Sequence, residues 1–135
     1  NYAGVRAYMK DIVAKAKQDG FVTTLFGRRR NLPELKSSNF NIRSFGERVA
    51  LNTPIQGTAA DIIKLAMLHV DRALCERKLQ ARLVLQVHDE LIVECPVEER
   101  VQVTQLLTEQ MQQVAKLSVP LLAEAKSGAS WYEAK

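Results

Sequence analysis

Apolar residues along this chain recur with two different periods, and the switches between them outline the elements. Val5, Tyr8, Met9, Ile12, Val13 and Ala16 fall three and four positions apart, the spacing of one helix face, and Gly20 supplies a stop. Phe21 to Phe26 is rich in β-branched and aromatic residues and ends at Gly27, which predicts a strand and then a turn. Arg28-Arg29-Arg30 leads into Asn31-Leu32-Pro33, a candidate return strand, and residues 33–38 form a polar connection. A second helix is predicted from Asn39 or Phe40, with Phe45 and Val49 as its apolar marks. At Asn52-Thr53-Pro54 the pattern breaks, because proline suits the first position of a helix and disfavours a helical residue before it. Thr53 and Gln56 have the spacing of a capping box. One helix is therefore expected to end near Asn52. Another starts at Thr53 and runs to about Lys78, with Ile62, Ile63, Ala66, Met67, Val70, Ala73 and Leu74 on one broad face.

The second half alternates faster. Arg82 to Val87 and Leu91 to Cys95 read as the strands of a hairpin, and Pro96 ends the second strand. Glu98 and Glu99 suit the first turn of a helix, where the macrodipole favours anions. Val103, Leu106, Leu107, Met111 and Val114 give that helix a buried stripe, and Pro120 to Ala125 is expected to form a last strand. Neither an internal repeat nor a low-complexity linker interrupts the order. Short strands separated by long helices predict an α+β fold, with helices packed on a small antiparallel sheet.

Composition leaves that picture standing and narrows it. A chain of 135 residues, 47% hydrophobic and 25% charged, is one domain or part of one and can bury a core. No apolar run approaches the roughly 20 residues that a membrane-spanning helix needs. Asn1-Tyr2-Ala3-Gly4 opens directly into a helical pattern, with neither an initiator Met nor a signal peptide. The chain is thus expected to be a processed or truncated piece. Cys75 and Cys95 lie outside any CxxC pair, so a thiolate metal site is not indicated; two buried thiols in a reducing cytoplasm are expected. The net charge of +4 conceals an asymmetry. Residues 1–48 carry ten Lys/Arg against four Asp/Glu, a net of +6, whereas residues 86–110 carry one against six, a net of −5. A basic arm and an acidic segment suit a polyanion that also needs metal ions, or are simply two solvated faces.

The acidic segment holds the most specific chemistry. Gln86-Val87-His88-Asp89-Glu90 joins two apolar runs, where a hairpin turn falls. Adjacent carboxylates on such a tip are either an ordinary polar turn or a place for a divalent cation. Mg²⁺ demands near-octahedral geometry and hence a rigid support, which a hairpin supplies. Successive strand residues point to opposite faces, which makes Asp89 the primary ligand and Glu90 the secondary one. His88 is open to several roles: metal ligand, proton carrier, donor to a phosphate or base, or plain turn residue. A zinc site is not supported by a single imidazole. Arg28, Arg29 and Arg30 form either a phosphate-binding fork behind the Gly27 turn or a solvated basic loop. Arg43, Glu47, Arg48, Asn52 and Gln56 largely share one helix face. Their amides reach acceptors on base edges. The structural alternatives are an Arg43–Glu47 pair and a Gln56 that completes the capping box.

Three stretches together resemble one family. They are Thr24 to Arg30 (TLFGRRR), Glu47 to Lys64 (ERVALNTPIQGTAADIIK) and Gln86 to Leu91 (QVHDEL), in that order, and they look like the carboxy-terminal part of family A DNA polymerases, the bacterial members in particular. The ending Gly128 to Lys135 (GASWYEAK) also resembles the family's carboxy terminus. The resemblance implies that residues 1–43 are the end of the fingers subdomain and 44–135 the carboxy-terminal palm. It implies Asp89 as a ligand of two catalytic Mg²⁺ ions, Glu90 beside them in support, and His88 near the primer end. Arg48, Asn52 and Gln56 match family positions that touch the template backbone, nascent pair and minor groove; Arg43 and Arg28 to Arg30 match basic positions toward the template strand.

The chain departs from the family in what it does not contain. The family's other metal-binding aspartate, and its helix with Arg, Lys and Tyr for the incoming nucleotide, match nothing in these 135 residues. The expectation is therefore a fragment of a DNA-directed DNA polymerase of replication and repair, cytoplasmic and nucleoid-associated, inactive alone. Its expected partners are primer–template DNA, deoxynucleoside triphosphates and the rest of the polymerase. The alternatives are a non-catalytic nucleic-acid-binding module and, more remotely, a metal-dependent hydrolase built on His88, Asp89 and Glu90.

Overall fold

The computed structural model describes residues 2–134. Three α-helices and two small antiparallel sheets follow one another as α1 (Ala3–Asp19), β1 (Phe21–Thr23), β2 (Arg29–Asn31), α2 (Phe40–Glu76), β3 (Arg82–Val87), β4 (Glu90–Glu94) and α3 (Arg100–Gln112). Short 3-10 turns at Pro33–Lys36 and Val97–Glu99 lead into the second and third helices. The α+β expectation holds, with two two-stranded sheets, β1–β2 and β3–β4, in place of one. The chain forms two compact units, residues 1–61 and 62–135.

In the first unit, α1 ends at Gly20, whose left-handed conformation (φ 79°) lets its N–H reach the Ala16 carbonyl at 2.8 Å. The α1 stripe is a correction to the expected core face: Val5, Tyr8 and Met9 are exposed, and of the stripe Ala16 alone is buried. The core lies instead under the carboxy-terminal end of α1, where Ala16, Val22, Leu32, Leu35 and Ala50 cluster, with Val13 and Val49 against them. The strand predicted over 21–26 stops at Thr23, because Thr24 turns the chain: its N–H bonds the Arg28 carbonyl at 2.9 Å and its carbonyl accepts from Gly27 at 3.0 Å.

The expected break at Pro54 is overturned. One helix of 37 residues runs through it, so Thr53 caps nothing and Gln56 completes no capping box. An interior proline costs about 3 kcal/mol, through the lost N–H and the crowded preceding turn. Tertiary contacts on both sides offset this: buried Ala50 before it, and after it the contacts of Gly57, Thr58 and Asp61 described below.

In the second unit, Val70, Ala73, Leu74, Ala81, Val103 and Leu106 form the core, with Leu79, Leu91, Val93, Cys95, Leu107 and Met111 packed on it. Val103, Leu106, Leu107 and Met111 of the α3 stripe thus pack as the periodicity predicts, whereas Val114 is buried beyond the end of the helix at Gln112. Glu99 ties the entry of α3 to the start of the hairpin, its carboxylate accepting from the Gln80 and Ala81 N–H groups at 2.9 and 3.0 Å. The strand expected over 120–125 does not form. A strand needs a ladder partner, and the Ala123 carbonyl is instead bonded by the Gln112 side chain at 3.2 Å.

The thiols also correct an expectation. Cys75 is exposed, and only Cys95 is partly covered. Burial, reinforced by the Glu99 carboxylate and opposed by Arg100, pushes the Cys95 thiol above its ordinary value. At pH 8, iodoacetamide is expected to alkylate Cys75 faster than Cys95 by about tenfold; equal rates by peptide mass spectrometry would contradict the packing of Cys95. No helix among the described residues is long and apolar enough to cross a membrane.

Candidate functional site

The acidic hairpin in the second unit is built by its own register. Val87 pairs with Glu90, which leaves His88 and Asp89 as a two-residue loop. His88 takes a positive φ of 53°, uncommon for a residue with a side chain. Gln86 holds it there, its side-chain amide donating to the His88 carbonyl at 2.6 Å. The alternation of β4 sets the two faces: Leu91, Val93 and Cys95 pack on the core, so Glu90, Ile92 and Glu94 point away from it. A shift of register between Leu83 and Leu85 inserts Val84 as an extra residue, a bulge of the kind that re-aims a strand end. His88, Asp89 and Glu90 are all exposed.

These carboxylates offer the hard oxygens that Mg²⁺ prefers. Among the described residues, no group of three or more His, Cys, Asp and Glu gathers as a metal cage. Asp89 and Glu90 are the adjacent oxygen donors that the hairpin tip presents to solvent.

The basic face lies in the first unit. Arg48, Asn52 and Gln56 are exposed on α2, at spacings that align them. Arg48 is steadied by Ser44, whose hydroxyl accepts from Nη1 at 3.2 Å, and lies 6.0 Å from the centre of the Phe45 ring. Arg29 stacks on Phe21 at 3.6 Å and donates to Asn31 at 2.9 Å, and Arg30 is exposed on β2. Arg43 lies 5.8 Å from the centre of the Phe40 ring and donates to the Ser37 and Ser38 carbonyls at 3.0 and 3.4 Å. The expected Arg43–Glu47 pair is thus replaced: Glu47 meets Lys17 of α1 at 2.6 Å, because α1 brings an ammonium closer than the next turn of its own helix does.

Sequence reasoning missed a cluster around Asp61, a carboxylate only 9% exposed. It accepts from the Thr24 hydroxyl and from Arg28 Nε, each at 2.6 Å. Arg28 Nη2 continues to the Gly57 carbonyl at 3.0 Å, so two arms of its guanidinium fork serve the protein itself. The available signal was an acid set directly beside the apolar face of Ile62 and Ile63.

The second unit thus presents two adjacent carboxylates on a hairpin tip, and the first unit presents an arginine and two amides on one face of α2. The chain belongs to DNA polymerase family A, whose profile matches residues 1–133. It is 58% identical over 135 residues to DNA polymerase I of Bacillus subtilis (strain 168) and 56% identical to that of Bacillus caldotenax. Each match covers 100% of this chain and 15% of the relative, so the chain spans about a seventh of the length of the proteins it matches. Among solved structures it is similar to the POL domain of Pol1 from M. smegmatis, in complex with DNA primer-template and dNTP. There the TM-score is 0.94 and the identity 49%, over 98% of this chain and 24% of that one.

Proposed function

We propose that this chain is the carboxy-terminal part of a DNA-directed DNA polymerase, with residues 1–43 ending the fingers and 44–135 forming palm. The observation that carries the reading is the exposed Asp89–Glu90 tip, mounted on a core-packed hairpin, in a chain that belongs to family A. In the reaction, a primer 3′-oxygen forms a bond to the α-phosphorus of a deoxynucleoside triphosphate. The bond from that phosphorus to the leaving pyrophosphate breaks, and the hydroxyl proton is lost to solvent or a base. Bound Mg²⁺ supplies activation of the attacking oxygen and charge neutralisation of pyrophosphate.

Asp89 would hold Mg²⁺ through its carboxylate oxygens, and Glu90 would support it from the solvent face of β4. His88 lies at the primer end, its backbone held in the turn by the hydrogen bond from the Gln86 side chain to its carbonyl. Arg48, Asn52 and Gln56 meet backbone and minor-groove edges of the duplex, where acceptors look alike for A·T and T·A, so the contacts test pair geometry rather than identity. Arg29, Arg30 and Arg43 add attraction for the template strand, with Arg28 contributing from its half-exposed side chain. Support for primer–template DNA and dNTP as partners comes from the similar POL domain of M. smegmatis Pol1, which is in complex with both.

The reading predicts no primer extension by the 135-residue chain alone, because one carboxylate pair does not position two metal ions. Extension should appear only when the remainder of the polymerase is supplied in trans. Gel analysis of a labelled primer decides it, and incorporation by the purified chain alone contradicts the shared-site reading.

A further inference from the structure

We infer that the Thr24–Arg28 turn is a clamp on α2, and that Thr24, Arg28, Gly57 and Asp61 are positioning residues for Asn52 and Gln56. The inference rests on the polymerase reading for what Asn52 and Gln56 touch, but the clamp itself stands on geometry.

Pro54 lies midway between the two amides. It has no N–H, so the Ala50 carbonyl lacks its helical donor at the turn that joins Asn52 to Gln56. Prolines are where helices bend. The relative aim of Asn52 and Gln56 therefore depends on the weakest turn of α2, and the Thr24–Arg28 turn grips the helix just beyond it. Thr24 and Arg28 Nε hold Asp61, Arg28 Nη2 holds the Gly57 carbonyl, and the Leu25 N–H donates to Thr58 Oγ1 at 2.9 Å. The Thr58 hydroxyl in turn donates to the Pro54 carbonyl, so the grip reaches the proline itself. The turn is also closed on itself by the Arg28 N–H on Thr24 Oγ1 at 3.1 Å.

Contact is close because residue 57 is glycine. A Cβ there would stand 2.7 Å from Thr24 Cγ2, on a β-branched side chain that is buried and doubly hydrogen-bonded. Gly57 and Asp61, four residues apart, are gripped by the turn, and Thr53 continues the same ridge one turn earlier. Asn52 and Gln56 sit one position earlier, about 100° around the axis, and stay exposed. The clamp thus sets their direction without occupying them.

The test is made in the complete polymerase, by comparing extension efficiency from matched and mismatched primer termini. Gly57→Ala is expected to reduce the matched-to-mismatched ratio by about tenfold, within the range a good base contact provides. Adding Thr24→Ser removes the opposing methyl, keeps the hydroxyl, and should restore most of the loss. No change in Gly57→Ala, or no rescue in the double variant, overturns the inference. Should Gly57→Ala not fold, Thr24→Val decides: it keeps the shape but lacks the hydroxyl, and an unchanged ratio together with unaltered amide exchange over residues 51–57 overturns the clamp. Gln56→Ala and amide hydrogen exchange over residues 51–57 separate the two claims. Faster exchange in Thr24→Val with no effect of Gln56→Ala on the ratio supports the clamp and defeats the DNA-contact reading. A reduced ratio in Gln56→Ala with unaltered exchange and ratio in Thr24→Val defeats the clamp.

Discussion

Replacing Asp89 with alanine in the complete polymerase is expected to slow single-turnover incorporation by about a thousandfold or more, a barrier increase of roughly 4 kcal/mol. Primer–template Kd should change by less than about threefold, because in the proposed reading duplex affinity comes from basic side chains on phosphate and not from the acidic tip. Asp89 sits in the two-residue loop itself, where its side chain is exposed and its backbone is held by the Val87–Glu90 pair. Removing it leaves the hairpin intact and takes away only the carboxylate that the proposed function assigns to Mg²⁺. Glu90→Gln should cost less, about ten- to a hundredfold, since it keeps one oxygen acceptor and lies on the strand face beside the loop. Rapid-quench incorporation measures the rate and a fluorescence titration the affinity. Normal chemistry with lost DNA binding in Asp89→Ala would falsify the assigned role.

Leu106→Ala should destabilise the hairpin's platform by about 2–5 kcal/mol. Leu106 is fully buried in the core on which Leu91 and Val93 of β4 pack, so the cavity opens behind the strand that carries Glu90. Hydrogen exchange of the β4 and α3 amides in the complete polymerase reads the local loss. Val101→Ala, earlier on the same helix but exposed, serves as the control and should shift protection little. Equal protection in the two variants would show that the hairpin does not depend on this core.

Much of this was legible in the order of residues. The 3.6-residue period found α1 and α3, and the Asp89–Glu90 acids between two apolar runs marked the hairpin and its tip. These signals are local: a helix face, a turn and a strand alternation are each specified within about ten residues. The errors share a cause. The break expected at Pro54 was sound local chemistry, overridden by contacts from residues 24–28, about thirty positions away. The strand expected over 120–125 had the composition of a strand but lacked a ladder partner. The apolar side chains of α1 had a helical period yet are mostly exposed, because period shows that a face exists and not what covers it.

For the candidate site, sequence alone determined which chemistry the chain carries: adjacent carboxylates at a turn, arginines and amides at helical spacing, and three ordered motifs that mark the family. Those properties belong to residue type and separation, which folding does not alter. Only the tertiary structure decided how the groups are held. It put Glu90 on the face of β4 opposite the core, gave His88 its left-handed backbone, and turned Arg28 inward to a buried Asp61. Such choices depend on which distant segments share a surface, and a lone arginine in a basic run carries no mark of the acid 33 residues away that will claim it.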